Sequence, residues 1–240
     1  MDILHMGREE ILNIDPRDVT RLLTIDEILH MGKVLGAYWH YDYDAALAGR
    51  PGSHAITKSG FHTDEFLISR ILLAPDNIRK IFAGQIVMLW KLSGLPMPDY
   101  VIGVPTGATD LARDVAQLIG ARFVAMEKVN GRIVMPCAIT GTVMLIEDLI
   151  TRATGLREAI GLLASLGILD YIFVIINRGL LEFIEIAGIG KFKIESIAGK
   201  KTNLWPPIPD ACPLCNLNSK AVYPKLTDNH WEDLINSQNP

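Results

Sequence analysis

Apolar residues along the 240-residue chain follow two rhythms. After Ala74-Pro75-Asp76-Asn77, which reads as a helix start, Ile78, Ile81, Phe82, Ile86 and Leu89 recur at helical spacing. Gly94 and Pro96 break that pattern, and residues 100–104 form a short strand-like run. Pro105-Thr106-Gly107-Ala108 then leads into a predicted helix with Leu111, Val115, Leu118 and Ile119 on one face, stopped by Gly120. Residues 123–126 read as a strand and 127–141 as an irregular piece. Residues 142–146 read as a strand ending at Glu147-Asp148. A helix with Leu156, Ile160 and Leu163 facing inward follows, and residues 171–176 predict a strand buried on both sides.

Continuous apolar strands alternating with amphipathic helices require crossover connections, so the pattern predicts an α/β fold with a central, mostly parallel sheet flanked by helices. The stretch from Ala159 to Ile176 is nearly all apolar, but Ser165, Gly167 and Asp170 interrupt it. It therefore reads as a helix end, a turn and a buried strand, not a membrane span. Residues 1–74 are mixed and turn-rich and predict a small N-terminal cap or hood; residues 75–200 form the parallel core. Residues 201–240, with Pro206-Pro207, Pro209, Pro213 and Pro224, predict an irregular tail packed on the same domain.

Composition narrows the function. The chain is 49% hydrophobic and 21% charged, enough to bury a sizeable core, and its net charge is −4. No long basic run offers a surface for nucleic acid or an anionic membrane, so an anionic ligand would need a local site. Three cysteines, Cys137, Cys212 and Cys215, build no disulfide framework, which points to a reducing compartment. Met1-Asp2-Ile3-Leu4-His5 lacks the pattern of a secretory signal, and the expected location is the cytoplasm.

In open parallel sheets ligands bind beyond the carboxyl ends of the strands. Glu147 and Asp148 stand at such an end, where two adjacent carboxylates need hydroxyl, cation or metal partners to offset desolvation. They suit the neighbouring hydroxyls of a ribose, and the helix start after Thr151 suits a phosphate. The plainer alternative is that the pair solvates a strand end and caps the next helix.

Glu147-Asp148 followed by Thr151-Arg152-Ala153-Thr154-Gly155 resembles the phosphoribosyl pyrophosphate motif of the type I phosphoribosyltransferases, most closely the orotate phosphoribosyltransferases. The resemblance extends in order along the chain. His54 to Asp64, containing Lys58-Ser59-Gly60-Phe61-His62, resembles an N-terminal substrate segment, and Gly103 to Ala108 a pyrophosphate loop. Asn177-Arg178 resembles the pair after the last core strand, and Cys212-Pro213-Leu214-Cys215 with Pro224-Lys225 the tail of many bacterial members.

The resemblance implies transfer of a phosphoribosyl group to orotate in pyrimidine biosynthesis, with Mg2+, by a homodimer. Glu147, Asp148 and Lys128 would be catalytic, and Thr151, Arg152, Ala153, Thr154 and Gly155 would hold the phosphoribosyl group. Lys58, Thr106, Gly107 and Ala108 would hold pyrophosphate, and Arg178 and Phe66 the base. Ala153 and Thr154 stand where the family carries glycines, Asn177 replaces an aspartate, and the hood offers only Lys128 and Arg132. A second reading therefore stays open: a protein of this fold that binds a nucleotide or phosphoribosyl ligand without this activity, or a transferase acting on another base.

Three further signals remain outside that reading. Cys212 and Cys215 are the spacing of half a zinc site, whose completion would require Cys137 and a histidine to converge on them. His62 is a candidate for touching substrate, and the plainer reading is a hydrogen-bonding surface residue in a turn. Trp39, Tyr41 and Tyr43 alternate like one face of a strand, which suggests packing or a dimer contact.

Overall fold

The computed structural model describes residues 1–224 and 229–239; Lys225 lies outside them. Contacts group the chain into two compact units, Met1–Leu35 with Ser69–Lys201, and Gly36–Ile68 with Thr202–Pro240. The N-terminal segment therefore does not stay together as one cap over residues 1–74. Strand pairing draws the tail to its middle part, Lys220–Val222 lying parallel to Ser53–Ile56. Ile11, Ile28 and Met31 are instead buried in the first unit.

The first unit starts its core with helix α1 (Asp76–Ser93), which begins after Pro75 and ends at a left-handed Gly94, φ 67°. The predicted face, Ile78, Ile81, Phe82, Ile86 and Leu89, is buried. Strand β1 (Tyr100–Gly103) leads to α2 (Thr109–Ile119), closed by Gly120 at φ 77°. Leu111 and Val115 are buried as expected, but Leu118 is 56% exposed. Ala112 and Ala116 complete the seam in its place, their small side chains permitting a close approach.

Strand β2 (Arg122–Phe123) is shorter than predicted. Residues 127–141, expected to be irregular, contain a hairpin of β3 (Glu127–Val129) and β4 (Arg132–Val134). Asn130 and Gly131 connect it at φ 51° and 82°, two successive left-handed residues as a two-residue type I′ turn demands. Strand β5 (Thr142–Ile150) runs on past Ile146 and contains the acidic pair. Helix α3 (Thr154–Leu162), β6 (Gly167–Asn177), β7 (Phe183–Ile186) and β8 (Gly190–Gly199) complete the unit.

The sheet order is β7-β8-β6-β5-β1-β2, parallel throughout except for the antiparallel edge strand β7. This is the predicted α/β architecture. Val143, Leu145, Ile172 and Val174 of the central strands form one core cluster with Leu156, Ile160 and Leu163. These side chains account for the apolar runs in the sequence, since a central parallel strand is covered on both faces.

In the second unit, Ser53–Ile56 lies between Lys220–Val222 and an antiparallel partner, His62–Thr63. A separate ladder pairs Tyr38–His40 with Glu65–Leu67. Trp39 and Tyr41 are buried, but Tyr43 begins a short helix, so the aromatic alternation ends with the strand. The three rings pack edge to face, with Tyr41 and Tyr43 centroids 5.1 Å apart. Among the described residues no helix is long and apolar enough to cross a membrane.

Candidate active site

Register places the acidic pair. Strand β1 accompanies β5 only as far as Gly103 opposite Ile146, whereas β6 continues beside it to Asn177 opposite Ile150. Glu147 and Asp148 therefore sit where one neighbour has left the sheet and the other has not. The chain leaving β1 closes over this step: Val104 N donates to Ile146 O at 2.9 Å, and Ala108 N to Val104 O at 3.2 Å. Gly107 comes against the Asp148 carboxylate so closely that a Cβ there would overlap Oδ2, and a Cβ on Gly103 would overlap the Ala108 carbonyl. Both glycines are needed for close approach, not for a special φ.

Both carboxylates are 9% exposed. Asp148 N donates to Glu147 Oε1 at 3.2 Å, and Leu149 N to Asp148 Oδ1 at 2.8 Å. No ion pair among the described residues engages either one. Burial pushes the Glu147 carboxyl well above the ordinary range, and the neighbouring Asp148 charge pushes it further; the Lys128 ammonium opposes both. The β3–β4 hairpin thus brings Lys128 into the electrostatic reach of Glu147. Its base is tied to α3, where Glu158 Oε1 accepts from Ile133 N at 2.9 Å.

After β5 the chain turns through Thr151 and Arg152 into α3. Ala153 occupies the N-cap in the left-handed conformation, φ 55° and ψ 31°, and is 6% exposed. Thr154 takes no positive φ. Of the two replaced glycines, only the first position demands what glycine supplies freely. No side chain caps α3, and Ala153 O receives the first helical bond from Arg157 N at 2.9 Å. The early amides of α3, including that of Gly155, begin the helix at the carboxyl end of β5, with the dipole favouring an anion there.

The third loop follows β6. Arg178 N donates to Ile150 O at 2.7 Å, and a Cβ on Gly179 would overlap the Thr151 carbonyl, so this loop is seated on the turn after β5. Asn177, where the family carries aspartate, uses both ends of its amide on its own loop. Its Nδ2 donates to Leu181 O at 2.8 Å and its Oδ1 accepts from Leu181 N at 3.0 Å.

The structure thus brings together Glu147, Asp148, Lys128, the loop holding Thr106, Gly107 and Ala108, the turn from Thr151 to Gly155, and Arg178, all in the first unit. The chain has the fold of the type I phosphoribosyltransferases. An orotate phosphoribosyltransferase from Aeropyrum pernix superposes with a TM-score of 0.53 at 18% identity, over 72% of this chain and 93% of that one. UMP synthase of Leishmania donovani also superposes with a TM-score of 0.53, at 17% identity; the match spans 87% of this chain and only 40% of the synthase. In sequence, the orotate phosphoribosyltransferase of Heliobacterium modesticaldum is 26% identical over 179 residues, 71% of this chain and 88% of that protein. That of Caldanaerobacter subterraneus is 27% identical over 179 residues, with 87% of it covered. No family model matches.

Within this phosphoribosyltransferase fold the remaining expected residues lie in the second unit. Lys58 is exposed in the turn between Ser53–Ile56 and His62–Thr63, which Thr57 N closes on Phe61 O at 2.7 Å. Phe66 stands opposite Trp39 in the Tyr38–His40 ladder and packs its half-buried ring 6.2 Å from that of Trp231. His62 is not a surface turn residue: it is 8% exposed and hydrogen-bonded to His54. Cys137 is exposed in the first unit, and the partners of Cys212 and Cys215 are His54 and His62 instead. The hairpin carrying Lys128 has a sequence signal, Val129-Asn130-Gly131-Arg132, that marks its turn.

Proposed function

We propose that this protein is an orotate phosphoribosyltransferase, moving the phosphoribosyl group of phosphoribosyl pyrophosphate to orotate to give orotidine 5-phosphate and pyrophosphate. The observation that carries this reading is the meeting of the buried Glu147-Asp148 pair with the Gly107 loop and the open start of α3. The two bacterial relatives named for the same activity support it.

In this reaction the bond from the anomeric carbon to pyrophosphate oxygen breaks, and a bond from a ring nitrogen of orotate to that carbon forms. Positive charge develops on the ribose in between, so catalysis is largely positioning and electrostatic stabilisation. Asp148 and Glu147 would accept hydrogen bonds from the two ribose hydroxyls. The early α3 amides at Thr154 and Gly155, with Thr151 and Arg152, would receive the 5-phosphate. The amides of Thr106, Gly107 and Ala108, with Lys128, would hold the pyrophosphate as its charge grows. Arg178, its backbone anchored to Ile150, would pair with the orotate carboxylate through its planar fork. The Asp148 carboxylate, buried and outside any ion pair among the described residues, is a hard oxygen donor that fits Mg2+, which would supply charge neutralisation for the pyrophosphate.

Loss of orotate absorbance in the presence of phosphoribosyl pyrophosphate and Mg2+ tests the reading. Consumption by the wild type and its collapse in Glu147→Ala/Asp148→Ala are expected; a wild type no faster than that variant overturns it. A homodimer in the cytoplasm is part of the same proposal, and sedimentation of the active protein as a monomer would remove the dimer from it.

A further inference from the structure

In the second unit, four side chains from three separate pieces of chain point their donor atoms at one another: His54, His62, Cys212 and Cys215. All four ligand atoms lie within 4.8 Å of each other. His54 Nε2 is 3.0 Å from His62 Nδ1, 3.8 Å from Cys212 Sγ and 3.7 Å from Cys215 Sγ; Cys215 Sγ is 3.4 Å from His62 Nδ1. A tetrahedron built on ordinary zinc–nitrogen and zinc–sulfur bonds has edges of about 3.3 Å between nitrogens and about 3.6 Å between nitrogen and sulfur. The observed edges fall around both values.

Ser219 Oγ lies 3.0 Å from His54 Nδ1 and 3.3 Å from Gly52 O, so the ring nitrogen facing away from the cluster has a polar partner of its own, as the second nitrogen of a metal-bound histidine does. His54 and Cys212 are fully buried, and His62 is 8% exposed.

We propose that His54, His62, Cys212 and Cys215 form a closed, structural zinc site. The set of two imidazoles and two thiolates matches zinc in softness and leaves no position for substrate. The site would link the two distant segments that make up this unit. His54 and His62 are diagonal neighbours on a short hairpin, where His62 pairs with Ile56, whereas Cys212 is the N-cap of the Pro213–Asn216 helix and Cys215 lies within it. A unit of roughly 70 residues gains most from such a staple. The metal would pin the base of the hairpin whose turn carries Lys58.

The test is metal analysis of the full chain, produced without a histidine tag in zinc-supplemented medium and purified reduced without chelator. About one zinc per chain is expected in the wild type and in Cys137→Ser, and less than a tenth of that in Cys212→Ser/Cys215→Ser. Substitution by cobalt should give the intense visible absorption of a tetrahedral centre with a thiolate charge-transfer band. If the double variant does not fold, His62→Cys should keep the metal and strengthen that band. A reduced wild type that neither contains nor takes up zinc or cobalt overturns the proposal. So does a cobalt centre without thiolate absorption, or a folded double variant that retains full zinc.

Discussion

Gly107 rests directly on the carboxylate of Asp148, with no room for even a methyl group between the loop after β1 and the acid on β5. The loop and the acid are therefore one unit mechanically, although 41 positions separate them in the chain.

Gly107→Ala should push the loop from the carboxylate by about an ångström, and a misplacement of that size costs on the order of 100-fold in kcat/KM. Since the neighbouring strands are not touched, the circular dichroism spectrum should stay that of the wild type. Wild-type turnover in this variant would show that the contact does not matter to the reaction.

Ala153→Gly addresses the left-handed residue before α3. An L-residue there carries roughly 1–2 kcal/mol of strain, against which the greater freedom of glycine in the unfolded chain and the lost methyl must be set. The expected net gain is about 0.5 kcal/mol, read as a higher midpoint in urea. Ala153→Val, branched at Cβ, should destabilise by more than glycine stabilises.

Glu147 makes the first unit pH-sensitive. Its folded carboxyl is held above the ordinary value of 4.5, so between that value and its raised one the folded chain keeps a proton the unfolded chain has lost. The contribution is complete below about pH 4.5 and falls as pH rises through the raised value, by about 1.4 kcal/mol per pH unit at most. Denaturation of wild type and Glu147→Gln across pH should show the variant gaining relative stability towards high pH. A constant difference would mean that Glu147 titrates normally.

The opposite sign is expected at Glu27. The Arg21 guanidinium, at 2.5 and 2.8 Å, holds this carboxyl down to about 2. Its stabilisation is present above pH 4.5 and is lost as pH falls through 2. Because Arg21 is half exposed and screened, Glu27→Gln should cost about 1–2 kcal/mol at pH 7 and no more than about 0.5 kcal/mol at pH 2. Equal costs at both pH values in urea titrations would refute the assignment.

The parallel core is readable in the sequence because its driving force is local and periodic. The apolar positions from Ile78 to Leu89 follow helical spacing, and residues 143–146 and 171–176 are unbroken apolar runs, so helix and doubly covered strand follow directly. The acidic pair is readable as well, since two adjacent carboxylates after such a run have few structural uses. The Asn130-Gly131 turn is written there too, although the charged hairpin around it has no apolar pattern to announce it.

What a one-dimensional pattern could not contain is whatever depends on two distant segments meeting. Period and turn chemistry dictated the alternating helices and strands from residue 76 to 176 outside the charged hairpin, and the acids at a strand end. Only the folded chain decided that Gly107 supports Asp148, that Ala153 is the strained member of its turn, and that each unit is built from two separated stretches of chain. It alone joined Cys212 and Cys215 to His54 and His62 within one unit. The reason is physical: a backbone dihedral and a ligand polyhedron are set by long-range packing, and residue spacing carries no record of which partner arrives.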